Sequence, residues 1–227
     1  MSQSDTKLNI ITAQNPLSPI SEIYRTLRTN IQFSSIDCPL KTIMVTSAAP
    51  GEGKTTTLTN LAVAYAQAEL RVIIVDADLR KPSIHEMFHL SNRVGVTNVL
   101  AHQAPLETSI LQSSIPNLDI LPAGTLPPNP SELLASKHME KLIQELSVTY
   151  DIVFVDTPPV LLVTDAQLMA AKCDGVLLVV HYGKVKREEL KKAKKNLERV
   201  NAKLLGTVLN KHAQKKSTPY HYYSSMQ

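Results

Sequence analysis

The chain has 227 residues, of which 43% are hydrophobic and 19% charged, and a formal net charge of +4. That suits one α/β domain with a full core. No stretch approaches the ~18 uninterrupted apolar residues of a membrane span, the polar segment 1–9 lacks the apolar run of a signal peptide, and Cys38 and Cys173 match no metal or redox spacing, so reduced thiols and a cytoplasmic location are expected.

In chain order, residues 1–20 read as a polar arm containing Pro16 and Pro19. A helix is expected over Ser21–Phe33, with Ser21 as its N-cap. Thr42–Thr46, Val72–Val75, Ile152–Val155, Val176–Val180 and Leu204–Leu209 are short, almost wholly apolar runs. Strands buried on both faces have this pattern. Leu118–Leu121 is a further strand candidate in the less regular middle, where Pro127, Pro128 and Pro130 mark a rigid turn. Helices are expected over Lys54–Ala68, Ser136–Leu146, Asp165–Ala171 and Lys186–Val200. The alternation predicts a doubly wound α/β fold: a mostly parallel sheet, helices on both faces, and a ligand site at the carboxyl ends of the strands. The domain is expected to span residues 21–210, followed by a mobile tail over 211–227 without apolar period. Lysines cluster over 184–195 and 211–216. A basic helix can meet anionic lipid or DNA, or be a solvated face, and composition does not choose among these.

The first strand runs into Ala48-Ala-Pro50-Gly51-Glu52-Gly53-Lys54-Thr55, followed by Thr56 and a helix. This is the G-x-x-x-x-G-K-[ST] phosphate loop with Ala48 at the first glycine. Gly51 and Gly53 let the backbone approach phosphate oxygens, and the following helix adds its positive end. Lys54 brings a point charge to the β- and γ-phosphates, and the Thr55 hydroxyl can ligate Mg²⁺. The ATP-binding residues are therefore read as Pro50, Gly51, Glu52, Gly53, Lys54, Thr55 and Thr56.

Two more apolar strands end in acids. Val72–Val75 leads into Asp76-Ala-Asp78-Leu-Arg80, and Ile152–Val155 into Asp156-Thr-Pro-Pro. Alternation puts Asp76 and Asp78 on one side if the chain stays extended. Adjacent carboxylates repel unless a cation sits between them. Mg²⁺ and Lys54 would supply that cation, with Thr55, Asp78 and Asp156 as metal ligands and Lys54, Asp76, Asp78 and Asp156 as the catalytic set. His85-Glu-Met-Phe-His89 fits the H-E-x-x-H zinc pattern. No third ligand follows at a suitable spacing, so ordinary side chains of a helix after Pro82 are expected there.

Together these motifs resemble the bacterial protein-tyrosine kinases, specifically the separate cytoplasmic kinase of Gram-positive exopolysaccharide systems. Gly124-Thr-Leu-Pro-Pro-Asn-Pro-Ser131-Glu-Leu-Leu134 and the Tyr-rich end add to the likeness, which runs from about Glu22 onward. The resemblance implies that Glu22, Arg25 and Arg28, in an E-x-x-R-x-x-R motif, make subunit contacts in a ring-like homo-oligomer. It implies that Tyr220, Tyr222 and Tyr223 are autophosphorylation sites. It implies that a membrane-bound activator works through its cytoplasmic tail, that protein tyrosines are the substrates, and that no nucleic acid is involved. Asp76 is then the expected acceptor of the tyrosine proton, the Asp76 and Asp78 roles being exchangeable. Asn210, at the end of Leu204–Leu209, resembles the adenine-side residue of related ATPases. Two other readings are a MinD/ParA-like positioning ATPase, in which a lysine stands where this chain has Ala49, and a nucleotide-switched scaffold without phosphoryl transfer.

Overall fold

The computed structural model describes residues 10–35 and 39–212. Tyr220, Tyr222 and Tyr223 lie outside the described residues. Strands are β1 Thr42–Ser47, β2 Val72–Asp76, β3 Leu111–Gln112, β4 Leu118–Leu121, β5 Ile152–Asp156, β6 Gly175–His181 and β7 Leu204–Asn210. Helices are α1 Ile11–Gln14, α2 Pro19–Phe33, α3 Lys54–Ala66, α4 Ile84–Met87, α5 Val96–Leu100, α6 Leu106–Ser109, α7 Pro130–Ala135, α8 Lys137–Thr149, α9 Asp165–Ala170 and α10 Arg187–Glu198. One sheet has the order β3-β4-β2-β5-β1-β6-β7. Every neighbouring pair is parallel except β3 with β4.

The apolar runs are explained by burial on both faces. Successive side chains of a strand point to opposite faces. Ile43, Val45, Ile152 and Phe154 enter a core beneath α3. Their alternates Met44, Val153 and Val155 enter a second core beneath α8 and α9. α3 lies so deep that all its residues from Thr57 to Ala66 are buried. Register then places the chemistry: Asp76 stands opposite Asp156, the last residues of two adjacent parallel strands.

The amino-terminal segment departs from the expected polar arm. From residue 10 onward it is docked, not free. Ile10 is fully buried and belongs to the core beneath α3. Thr12 donates both its N–H and its hydroxyl to Asn60 Oδ1, at 3.0 and 2.9 Å, and Gln67 donates to the Thr12 carbonyl. The expected N-cap is also shifted. Ser18, in extended conformation, caps α2 by accepting from Ser21 N–H, with Pro19 in the first turn. Ser21 instead donates its hydroxyl to the Asn15 carbonyl, which ties α1 to α2. Among the described residues no helix is long and apolar enough to cross a membrane.

Candidate functional site: a phosphate loop facing three carboxylates

β1 delivers the loop Ala48–Gly53 to the carboxyl edge of the sheet, and α3 begins at Lys54. Gly51 (φ +75°) and Gly53 (φ +91°) adopt left-handed conformations that favour glycine. A Cβ on Gly53 would also lie 2.0 Å from Asn210 Nδ2. Asn210 donates to the Glu52 carbonyl at 2.9 Å, and Lys211 Nζ reaches the Gly51 carbonyl at 3.5 Å. Glu52 is only 1% exposed, and its carboxylate accepts from the main-chain N–H groups of Ala49 and His181. The loop motif places Glu52 among the ATP-binding residues, but its carboxylate is a staple between the loop and β6.

Lys54 is the centre of the site. Its ammonium lies 3.1 Å from Asp78 Oδ2, 3.3 Å from both oxygens of Asp156, and 3.1 Å from Thr55 Oγ1. Thr55 donates to Asp156 Oδ2 at 2.7 Å. Burial by itself would lower the Lys54 pKa, but Asp156 and Asp78 outweigh it and the value is raised. Burial raises the pKa of Asp156, and Lys54 and the Thr55 hydroxyl oppose that rise. Asp76 is fully buried. Burial first, and the like charge of Asp156 second, push its carboxyl well above the ordinary range, against the Ile84 N–H bond. Its two oxygens accept from the N–H groups of Asp78, Ser83 and Ile84.

The cleft beside these groups measures about 370 Å³. Its walls include Pro50, Gly51 and Gly53 to Thr56 from the loop, Asp78, Arg80 and Lys81, and Pro158, Pro159, Leu162 and Val163. Asp78 thus faces the cleft, while Asp76 and Asp156 lie beneath it. The oxygens of Thr55, Asp78 and Asp156 already surround one cation, the Lys54 ammonium. Hard oxygen donors around a cation position suit Mg²⁺, whose remaining ligands are usually water and phosphate. Among the described residues no three His, Cys, Asp or Glu side chains converge as a metal cluster, so such an ion would need the Thr55 hydroxyl and phosphate oxygens besides Asp78 and Asp156. The H-E-x-x-H stretch has no helical face to offer: α4 is a single turn, and His89 has φ +54°.

On α2, Arg25 donates to Glu22 at 2.8 Å and to the Pro16 carbonyl, and Arg28 donates to the Ala64 carbonyl near the end of α3 at 2.6 Å. All three motif residues therefore have partners within one chain. Beside them Leu17, Ile20 and Ile23 are exposed. Motif and spacing assign no role to Arg80, Ser131 or Asp165, which the fold brings into contact. Asp165 lies 85 residues from Arg80, a distance that no local spacing rule spans.

The strand, the glycine-bearing loop, the helix that starts at its lysine, and the acids on neighbouring strand ends define a P-loop nucleotide-binding protein of the MinD/ParA-like fold. The AAA domain family (AAA_31) matches residues 40–211. Tyrosine-protein kinase YwqD of Bacillus subtilis (strain 168) is 46% identical over 217 residues, covering 96% of this chain and 92% of the relative. The kinase domain of Escherichia coli tyrosine kinase ETK superposes with a TM-score of 0.90 at 32% identity, over 97% of this chain and 86% of that one. The septum site-determining protein MinD of Pyrococcus horikoshii OT3, complexed with Mg-ADP, is a more distant likeness, with a TM-score of 0.67 at 25% identity over 78% and 72% of the two chains. The chain belongs to the bacterial protein-tyrosine kinases.

Proposed function

We propose that this kinase transfers the γ-phosphoryl group of ATP·Mg²⁺ to the tyrosines of its own carboxyl end, Tyr220, Tyr222 and Tyr223, and thereby regulates exopolysaccharide or capsule production. The observation that carries this reading is the Lys54 ammonium held between Asp78 and Asp156 at the mouth of a phosphate loop. The Mg-ADP bound to the MinD relative supports the cofactor.

In this reading the main chain from Pro50 to Thr56 cradles the phosphates, and Lys54 neutralises charge on the transferring group. Thr55, Asp78 and Asp156 would hold Mg²⁺, which when bound would offset negative charge on the nucleotide's phosphates. Asn210, already against Glu52, borders the adenine side. Asp76 accepts the tyrosine proton. Asp78 faces the cleft and is the alternative acceptor. Pro158, Pro159 and Leu162 give the cleft an apolar wall.

Replacing Tyr220, Tyr222 and Tyr223 together by Phe should abolish self-phosphorylation and leave nucleotide binding intact. Full radiolabel on the triple variant would refute the acceptor assignment.

Glu22, Arg25 and Arg28 serve assembly of a ring-like homo-oligomer in this proposal, with the exposed Leu17, Ile20 and Ile23 beside them. Sizing of a Glu22→Ala, Arg25→Ala variant checks it, and an unchanged mass counts against it. The same proposal places the kinase in the cytoplasm, recruited to the membrane by an activator's cytoplasmic tail.

A further inference from the structure

Arg80 lies two residues past Asp78 and lines the cleft. Its Nε donates to Asp165 Oδ2 at 2.8 Å, and its Nη2 donates to Asp165 Oδ1 at 3.1 Å and to Ser131 Oγ at 3.0 Å. Ser131 in turn donates to Asp165 Oδ1 at 2.7 Å. The Asp165 carboxylate is 0% exposed, whereas the Arg80 side chain is 39% exposed. A buried carboxylate of this kind needs its whole set of donors. A planar guanidinium supplies two of them in one fixed geometry, which a lysine does not.

Three separate segments meet here: the acidic loop after β2, the first turn of α7 and the start of α9. α7 packs against α9, so Ser131 and Asp165 form a firm seat. The loop is gripped from the other flank as well. Asp78 Oδ1 accepts from Lys81 N–H, and Asp76 accepts from the N–H groups of Asp78, Ser83 and Ile84. The Asp78 carboxylate, 3.1 Å from Lys54, therefore sits on a strip of chain fixed on one side by Asp76 and on the other by Arg80.

We infer that Arg80, seated on Ser131 and Asp165, is a positioning residue for phosphoryl transfer that fixes the carboxylate of Asp78 at the cleft. The inference rests on the reading of Asp78 as a ligand of the nucleotide's cation. It also explains the Pro-Asn-Pro-Ser131 turn, because Pro130 starts α7 and thereby presents the Ser131 hydroxyl to Asp165.

The first test is hydrogen exchange of the full chain without nucleotide or Mg²⁺, comparing the native protein with Arg80→Lys and Ser131→Ala. Amides of residues 77–84 should exchange at least ~10-fold faster in Arg80→Lys and measurably faster in Ser131→Ala, with the sheet unchanged. The second test is steady-state kinetics. The Mg²⁺ concentration for half-maximal rate should rise and kcat fall by at least ~10-fold in Arg80→Lys, with KM for ATP at saturating Mg²⁺ within ~2-fold. Unchanged exchange at 77–84, or uniformly faster exchange across the sheet, would overturn the proposal. Asp78→Asn separates the two claims. Wild-type Mg²⁺ dependence in that variant would sink the reading of Asp78, while the exchange result tests the Arg80 seat by itself.

Discussion

Acids stand at both ends of this sheet, and the two ends use them in opposite ways. At the amino ends, Asp174 accepts the N–H groups of Lys41 and Thr42, both at 2.8 Å, and Asp151 accepts that of Arg71 at 2.8 Å. Each carboxylate there ties neighbouring strands together. The Arg71 main-chain bond, followed by its side chain, holds Asp151 below the ordinary carboxylate value. At the carboxyl ends Asp76 and Asp156 are buried and opposite one another, and both are pushed up. One lysine serves Asp78 and Asp156 together. Acids in balance with local donors make a fold. Acids in excess of them gather around a single ammonium beside the phosphate loop.

The contrast can be broken most strongly at Lys54. Lys54→Met should reduce phosphotyrosine formation at least ~100-fold, the scale expected when a charge on the transferring group is lost; immunoblotting after incubation with ATP checks this.

A smaller effect, of the opposite kind, is expected from Asp174→Ala. Two main-chain donors lose their acceptor, costing about 1–3 kcal/mol, or roughly 2–12 °C in Tm for a chain of this size. The specific rate of the folded enzyme should stay within ~2-fold.

The two ends should also differ in the sign of their pH dependence. Asp76 and Asp156 have raised values, so the folded, ligand-free protein binds more protons than the unfolded chain. Its stability from these groups is greatest below the ordinary carboxylate range near ~4 and falls as pH rises above it. Asp151 has a lowered value, so its contribution is present above ~4 and is lost as pH falls through its folded value. Melting curves between about pH 3 and 8 should show Asp156→Asn flattening the loss on the alkaline side. Asp151→Asn should lower Tm by about one or two degrees above ~pH 4 and make the fall on the acid side correspondingly smaller. A steeper alkaline decline in Asp156→Asn would contradict the assignment.

Most of this architecture was legible because its signals are local. Apolar runs ending in Asp76 and Asp156, and glycines before Lys54, fix strand, turn and helix within a few residues. What escaped depends on partners far away. β3, two residues long and antiparallel at the edge, carries no periodic pattern. Ile10 reads as part of a polar arm until α3 covers it. Ser18 and Ser21 are equally good caps in isolation, and the chain's entry into α2 decides between them. Glu52 lies in the loop motif, yet spacing does not tell which way its carboxylate turns. Arg80 and Asp165 become partners only when the loop after β2 and the starts of α7 and α9 are folded together.

The contact of Asn210 and Lys211 with the phosphate loop has a practical use. Asn210 and Lys211 touch Glu52 and Gly51, so a group attached at Lys211 sits against the phosphate loop. An environment-sensitive dye attached there should report nucleotide entry optically, without a coupled assay. The same dye at residue 17, on the exposed start of α2, should report on neighbouring copies instead.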